Sequence, residues 1–504
     1  VLTLSVLCII DIIIEYASSR DDIFSFSVRV GYGVTHLVVN LLTCVTYYYL
    51  PLPDRCLLVG KYKKIGTTSF VIPHSDEMGA STPSTITIQC WFPIRSDCVA
   101  TEGFVAGKST ALLWTSGEPL HQFQESIDMM DTLAHNNKMP SFSVKHLCMA
   151  RTNSIWQNTL NQLAPLTGGK RHPIAVYSHG LWGWRQIHHS ACENLASTGV
   201  VVFACDHTPD SMCSRPLRMP HQRFDFPTPP GLSLEEERKF FQGGMERRVA
   251  QVSSIITHIQ SEQFQQDHVV VGKLDYSQIH LWGHSYGGGT ISTLCCRDNP
   301  FKIRSATMLD GWIYPVPDPD RKRGFQTASL LNLSAERWPY GKYQFPFRAD
   351  LVKNSHVSPA PLDLVLRGAD HQNFVDIYMI ARQSLLERPS MLGKTLNSGQ
   401  AIAVLDQLLP AYIWGLASLS HSKSDDKSTV ESADVQLTLS EPGVASVDDL
   451  LAICTQQSSP SPLSTAAADF IRKNVYHATQ LPEEYIDYKA YNRVIKEKEH
   501  SEQK

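Results

Sequence analysis

Short apolar runs that end in glycine or polar residues recur along the chain. They are His172–Gly180 (HPIAVYSHG), Gly199–His207, Gln278–Ser285, Arg304–Gly311, Ala328–Glu336 and Pro361–Gly368. Runs of this length without alternation read as strands buried on both faces. Ser84–Pro93 (STITIQCWFP) does alternate, and its isoleucines and aromatics mark a further strand. Arg247–Gln260 instead places Val249, Val252, Ile255, Ile256 and Ile259 on one face at helical spacing. Strands alternating with helices predict an α/β fold, a mostly parallel central sheet flanked by helices. Function is then expected at the carboxyl ends of the strands. His207–Gly244, with many prolines and few apolar residues, breaks the pattern and reads as a cap-like insertion. Leu419–Gln436 is polar and reads as a disordered linker, Thr455–Thr465 as a loop, and Ala466–Val475 as a helix.

Two apolar stretches lie near the start, Val1–Tyr16 and Val34–Leu50. The first carries Asp11 and is short for a span; the second ends in Tyr47–Tyr49, as an interfacial belt does. They favour membrane association through residues 1–50, ahead of a catalytic domain over 51–416, a polar linker over 417–460 and a C-terminal helix and charged tail over 461–504. A formal net charge of -4 and the lack of a dense Lys/Arg stripe leave no footprint for nucleic acid. The 12 cysteines form no C-x-x-C pair, which argues for buried thiols rather than zinc ligands. The sequon Asn332-Leu333-Ser334 sits in an apolar run and is expected to be buried.

The run ending at Ser285 continues as G-H-S-Y-G-G-G. A strand, a glycine-flanked serine and then a small-residue helix make a nucleophile elbow, with Ser285 held at a helix N-terminus. A nucleophilic serine needs a base, and the base an orienting acid, in the order Ser, acid, His. Asp310 and His371 follow later strands on the same rim, whereas Asp363 lies at the far end of its strand and Asp370 is bonded to His371 along the backbone. The tetrahedral intermediate needs two N–H donors. Tyr286, after the nucleophile, supplies one; Leu181, in the glycine turn after the run that starts at His172, supplies the other. His188-His189 has no partner at metal-ligand spacing, so no metal site and no cofactor is expected.

These motifs resemble those of the platelet-activating factor acetylhydrolases, the group VII phospholipase A2 family. The family's G-H-S-F-G-G stands as Gly283–Gly288 with Tyr286 for Phe. Its S-H-G-L-G stands as Ser178–Leu181, its L-D-A-W as Leu309-Asp310-Gly311-Trp312, and its H-Q-N-F intact at His371–Phe374. The likeness runs over Pro51–Ala403 and resumes at Thr465. It implies an α/β-hydrolase fold and a calcium-independent serine esterase. Such an enzyme removes the sn-2 acetyl, or a short or oxidised acyl group, from a glycerophospholipid at a membrane or lipid-particle surface. Trp182, Trp184, Trp312, Trp338 and Tyr340 are candidates to line the site, with core packing as the alternative for each. Oligomeric state is left open.

Three departures stand out. Trp182 replaces a small residue beside the oxyanion turn, Asp206–Ser211 (DHTPDS) replaces an H-R-D stretch, and Val404–Pro460 reads as an insertion, a tolerated surface insert in preference to a membrane or partner contact. Trp182 keeps open a different ester substrate, as in a carboxylesterase or a chlorophyllase-like enzyme. A non-catalytic lipid-binding protein is disfavoured by the complete set of motifs.

Overall fold

The computed structural model describes residues 58–74, 84–98, 114–116, 131–132, 151–208, 210–211, 213–214, 222–223, 231–336, 341–376, 398–421, 446–455 and 462–477. Val1–Tyr16, Val34–Leu50, Trp338, Tyr340 and most of the polar linker lie outside them. Thirteen strands are described: β1 (Ile65–His74), β2 (Ser84–Pro93), β3 (Trp114–Ser116), β4 (Arg151–Trp156), β5 (His172–Ser178), β6 (Val201–Cys205), β7 (Cys213–Ser214), β8 (Gln222–Arg223), β9 (Leu274–His284), β10 (Ile303–Leu309), β11 (Ser329–Ala335), β12 (Leu362–Leu366) and β13 (Val475–His477). All but the β7–β8 pair form one sheet in the order β13-β12-β11-β10-β9-β5-β6-β2-β1-β4-β3. From β12 to β6 each neighbouring pair is parallel. β2 then runs antiparallel to β6 and β13 antiparallel to β12.

The helices are α1 (His189–Ser197), α2 (Leu234–Gln260), α3 (Glu262–Asp267), α4 (Tyr286–Cys296), α5 (Asp318–Arg323), α6 (Gly341–Lys353), α7 (Ser398–His421), α8 (Val447–Cys454) and α9 (Thr465–Asn474). They cover the sheet on both faces, which is why the central strands are apolar throughout. In β6, Val202 and Ala204 join the core beneath α1 and α7, while Val201, Phe203 and Cys205 join the core beneath α2 and α4. Cys90, Cys98, Cys192, Cys205, Cys295, Cys296 and Cys454 are free and buried. Asn332 is buried within β11, where its amide donates to Asp363 and Ser334.

Two sequence expectations need correction. The cap-like stretch ends sooner than Gly244, because Leu234–Gly244 is the first part of α2. Ser233 starts that helix: its hydroxyl accepts the Glu236 N–H, and the Glu236 carboxylate accepts the Ser233 N–H. This capping box is written in the sequence as S-L-E-E. The apolar piece of the expected surface insertion is instead core. α7 runs unbroken past residue 416 and buries Leu405, Leu408, Leu409, Tyr412, Ile413 and Trp414. The Trp414 indole donates to Thr198 at the end of α1 (3.1 Å). Among the described residues no helix is long and apolar enough to cross a membrane.

Candidate active site

The strands β5, β9, β10 and β12 are parallel and end on one rim. Ser285 follows β9 and precedes the first residue of α4, at φ 56° and ψ -122°. A left-handed non-glycine backbone costs on the order of 1–2 kcal/mol. The surroundings hold it there: the Ser285 N–H donates to Leu309 O (3.1 Å), and its carbonyl accepts the N–H groups of Trp312 (2.7 Å) and Gly289 (3.2 Å). The turn closes because two flanking positions lack a Cβ. One at Gly283 would lie 2.6 Å from Gly287 backbone, and one at Gly287 would lie 1.9 Å from Ser178 O. The first N–H groups of α4, Tyr286 among them, have no carbonyl available within the helix and face the end at which Ser285 sits.

Asp310 follows β10, buried and also left-handed at φ 47°. One carboxylate oxygen accepts the Ala335 N–H (3.0 Å); the other meets His371 Nδ1 at 2.6 Å. A carboxylate only accepts, so His371 Nδ1 carries the proton and the Nε2 lone pair is left to take one. Burial pushes the His371 imidazole down, keeping it neutral at pH 7. Burial also pushes the Asp310 carboxyl up, against the pull of the Ala335 N–H and the Arg348 charge. His371 opens a short helical turn after β12, and His284, the residue before Ser285, packs against it. The two rings lie 4.6 Å apart, and His284 Nε2 donates to His371 O (3.1 Å). Asp370 caps that turn by accepting the His371 N–H (2.8 Å), while Asp363 pairs with Arg348 (3.3 Å), so both serve elsewhere.

The turn after β5 runs Gly180–Gly183, closed by the Gly183 N–H on Gly180 O (3.0 Å). Trp182 holds the third position at φ 60°, the left-handed site of such a turn that ordinarily takes glycine or asparagine. Its N–H donates to Asp210 O (3.1 Å), so the Leu181 N–H stays outside both bonds. Beneath the turn, His179 Nδ1 donates to Gly180 O (2.7 Å), and its Nε2 accepts from the His207 N–H (3.1 Å) and Ser211 (2.9 Å).

Of the expected lining aromatics, Trp182 and Trp312 are half-buried. Trp312 packs on Phe241 and Tyr286, at ring separations of 4.7 and 5.7 Å. Trp184 is buried, and its indole N–H has no partner among the described residues. Trp338 and Tyr340 fall outside them.

Further buried pairs also bear on the rim. Arg185 and Asp206 form a buried ion pair, and Arg248 and Asp210 form another at 3.2 Å. Nothing in linear spacing joins these partners. His188 is engaged by the Tyr177 hydroxyl (2.5 Å) and His189 by Glu193 (3.1 Å). Among the described residues no three His, Cys, Asp or Glu side chains are grouped to hold a metal ion.

A solved ferulic acid esterase from Streptomyces cinnamoneus matches 72% of this chain and 92% of its own, with a TM-score of 0.52 at 16% identity; the likeness is one of fold. That fold is the α/β-hydrolase fold. Among curated proteins the chain is similar to platelet-activating factor acetylhydrolases of Bos taurus, 25% identical over 54% of this chain and 64% of that protein, and Gallus gallus, 22% identical over 49% and 62%. The matches thus span less than two thirds of those relatives' length. The family model described as "Platelet-activating factor acetylhydrolase, isoform II" matches residues 126–223 and 249–437, more than half of the sequence, and the chain belongs to that family.

Proposed function

We propose that the chain is a serine esterase that removes the sn-2 acetyl, or a short or oxidised acyl group, from glycerophospholipids. The observation that carries this reading is the pairing of a strained Ser285 at the start of α4 with a buried Asp310–His371 couple on the same rim. Ser285 Oγ attacks the ester carbonyl as His371 Nε2 takes its proton. The carbonyl oxygen becomes an oxyanion held by the Leu181 and Tyr286 N–H groups. The C–O bond to the lyso-lipid then breaks, and the proton passes from His371 to the leaving oxygen. Water, deprotonated by His371, attacks the acyl-serine, releases the acid and returns Ser285. Asp310 keeps the imidazole in its Nδ1–H tautomer and supports the transient imidazolium. The family supports a lipid substrate; the half-buried Trp182 and Trp312 offer faces for the lipid or its choline head group. No step requires a metal.

The test is hydrolysis of 1-alkyl-2-acetylglycerophosphocholine against long-chain phosphatidylcholine, with excess EDTA present. The expected result is release of acetate, little long-chain acid and no loss to EDTA. Hydrolysis confined to non-lipid esters would point to a carboxylesterase, and activity restored by added metal would reject the mechanism. Residues 1–50 serve in this reading as the surface attachment. A chain beginning at Pro51 is expected to hydrolyse a water-soluble ester at a near-normal rate and vesicle-bound substrate more slowly. Equal vesicle rates would remove that role.

A further inference from the structure

The oxyanion turn and the nucleophile elbow leave adjacent parallel strands, β5 and β9, with Ser178 beside Gly283. Their relative position decides whether the Leu181 and Tyr286 N–H groups converge. One side chain touches both. Arg248, on α2, is wholly buried. Its Nη1 donates to His179 O (2.6 Å), and its Nη2 donates weakly to Gly180 O (3.4 Å) and Asp210 O (3.3 Å). Its Nε meets the Asp210 carboxylate at 3.2 Å, and its guanidinium carbon lies 4.6 Å from the centre of the Tyr286 ring. Asp210 O, which Arg248 approaches, is also the acceptor of the Trp182 N–H. The guanidinium fork therefore reaches the two carbonyls that lead into the turn, the acceptor that fixes its left-handed residue, and the side chain of the second donor. The planar fork meets these partners at fixed angles, as a lysine ammonium cannot.

We propose that Arg248 is the positioning residue of the oxyanion hole, setting the Leu181 turn against Tyr286 through His179, Gly180 and Asp210. The proposal rests on the esterase reading above. It accounts for a tryptophan in a glycine-type position: with its N–H held by Asp210 and Asp210 held by Arg248, the turn keeps its shape without glycine. It also gives Asp210, in the loop Asp206–Ser211, a task, since this residue meets both the turn, through its carbonyl, and the helix, through its carboxylate.

The experiment uses the full chain as wild type, R248K, R248M and D210N, with p-nitrophenyl acetate as substrate. Active sites are counted by complete labelling with a fluorophosphonate, and a trifluoromethyl ketone, which forms an alkoxide adduct with the serine, probes the hole. Labelling of the wild type at Ser285 is checked first; labelling elsewhere overturns the esterase reading and this proposal with it. With that in place, R248K is expected to lose about 10²-fold in kcat per labelled site, the scale of one oxyanion donor. KM should stay within about threefold, and ketone affinity should fall in parallel with kcat. A merely structural role would instead reduce the number of labelled sites and leave kcat per site and ketone affinity unchanged, which overturns the proposal. Should both Arg248 variants fail to fold, D210N decides. A loss of roughly tenfold in kcat and in ketone affinity supports the clamp, and wild-type values for both overturn it.

Discussion

Two turns at the sheet rim each hold a non-glycine residue in the left-handed region, and they are built in opposite ways. The elbow carries Ser285 at φ 56° between glycines whose missing side chains let β9, α4 and the end of β5 touch backbone to backbone. The Gly180–Gly183 turn carries Trp182 at φ 60° and is fastened from outside, by Asp210 and the helix α2. Strain in the first is enforced by local sequence. Strain in the second is supported by residues 28 and 66 positions further along the chain, Asp210 and Arg248. The elbow is accordingly written in the sequence as a motif, and the fastening of the other turn is not.

Breaking the chemistry at the elbow while keeping its shape should produce the largest effect. Ser285→Ala removes one oxygen, and kcat is expected to fall by on the order of 10⁴ to 10⁶, with circular dichroism and Tm close to wild type. Retained hydrolysis would place the nucleophile elsewhere. Asp310→Asn leaves the hydrogen-bonding shape but lets the imidazole adopt the wrong tautomer, at a cost of about 10⁴-fold in kcat. Near-normal turnover by that variant, measured beside substitutions of other rim carboxylates, would reassign the orienting acid. Gly287→Ala breaks the shape itself. Its methyl would meet Ser178 O at 1.9 Å, a contact between two backbones with no flexible side chain to yield. A loss of about 3 kcal/mol in unfolding free energy is expected by denaturant titration, and wild-type stability would mean that the strands separate more readily than their packing implies.

The smallest effect comes from a turn with no chemistry. Val269 is left-handed at φ 56° and 54% exposed, at the C-terminal side of α3, where glycine is the usual occupant. Val269→Gly should raise stability by about 1 kcal/mol, read as a higher denaturant midpoint, with kcat/KM unchanged. A destabilised variant would show that its exposed side chain supplies more than its backbone costs.

The strands that carry the site were legible because parallel strands buried on both sides must be apolar throughout. The runs around β5, β6, β9, β10, β11 and β12 are found within a few residues of their expected places. β1, β3, β4, β7, β8 and β13 do not show in the sequence: IGTTSFVIPH and RTNSIW are too mixed to stand out, and the other four have only two or three residues each. α2 was cut short because Gly243-Gly244 weakens the helical pattern, and the capping box upstream was passed over. VLDQLLPAYIWGL reads as surface because it falls in a stretch that departs from the family's pattern, whereas α7 carries it, Pro410 included, and is buried nearly all round. In the candidate site, the residues expected as triad and oxyanion donors had motif spacing to mark them. Arg248 and Asp210 had none, since their roles depend on contacts between elements.

The strand order has a consequence for how the molecule reaches its native state. β9 pairs with β5 on one side and β10 on the other, and the segments placed at the rim are drawn from about 190 residues of chain, from Ser178 to His371. No contiguous stretch contains both the Leu181 turn and His371 without β6, β9, β10, β11 and β12 between them. Closing loops of that length is slow, and parallel pairing delays reward until several crossovers are in place. In the proposed mechanism a nascent chain therefore carries Ser285 before it carries the histidine that would activate it. On that reading it is expected to stay chemically silent until β12 has been laid down, because the chain builds the β3–β1 side of the sheet first and adds β9 to β13 outward along the other side last.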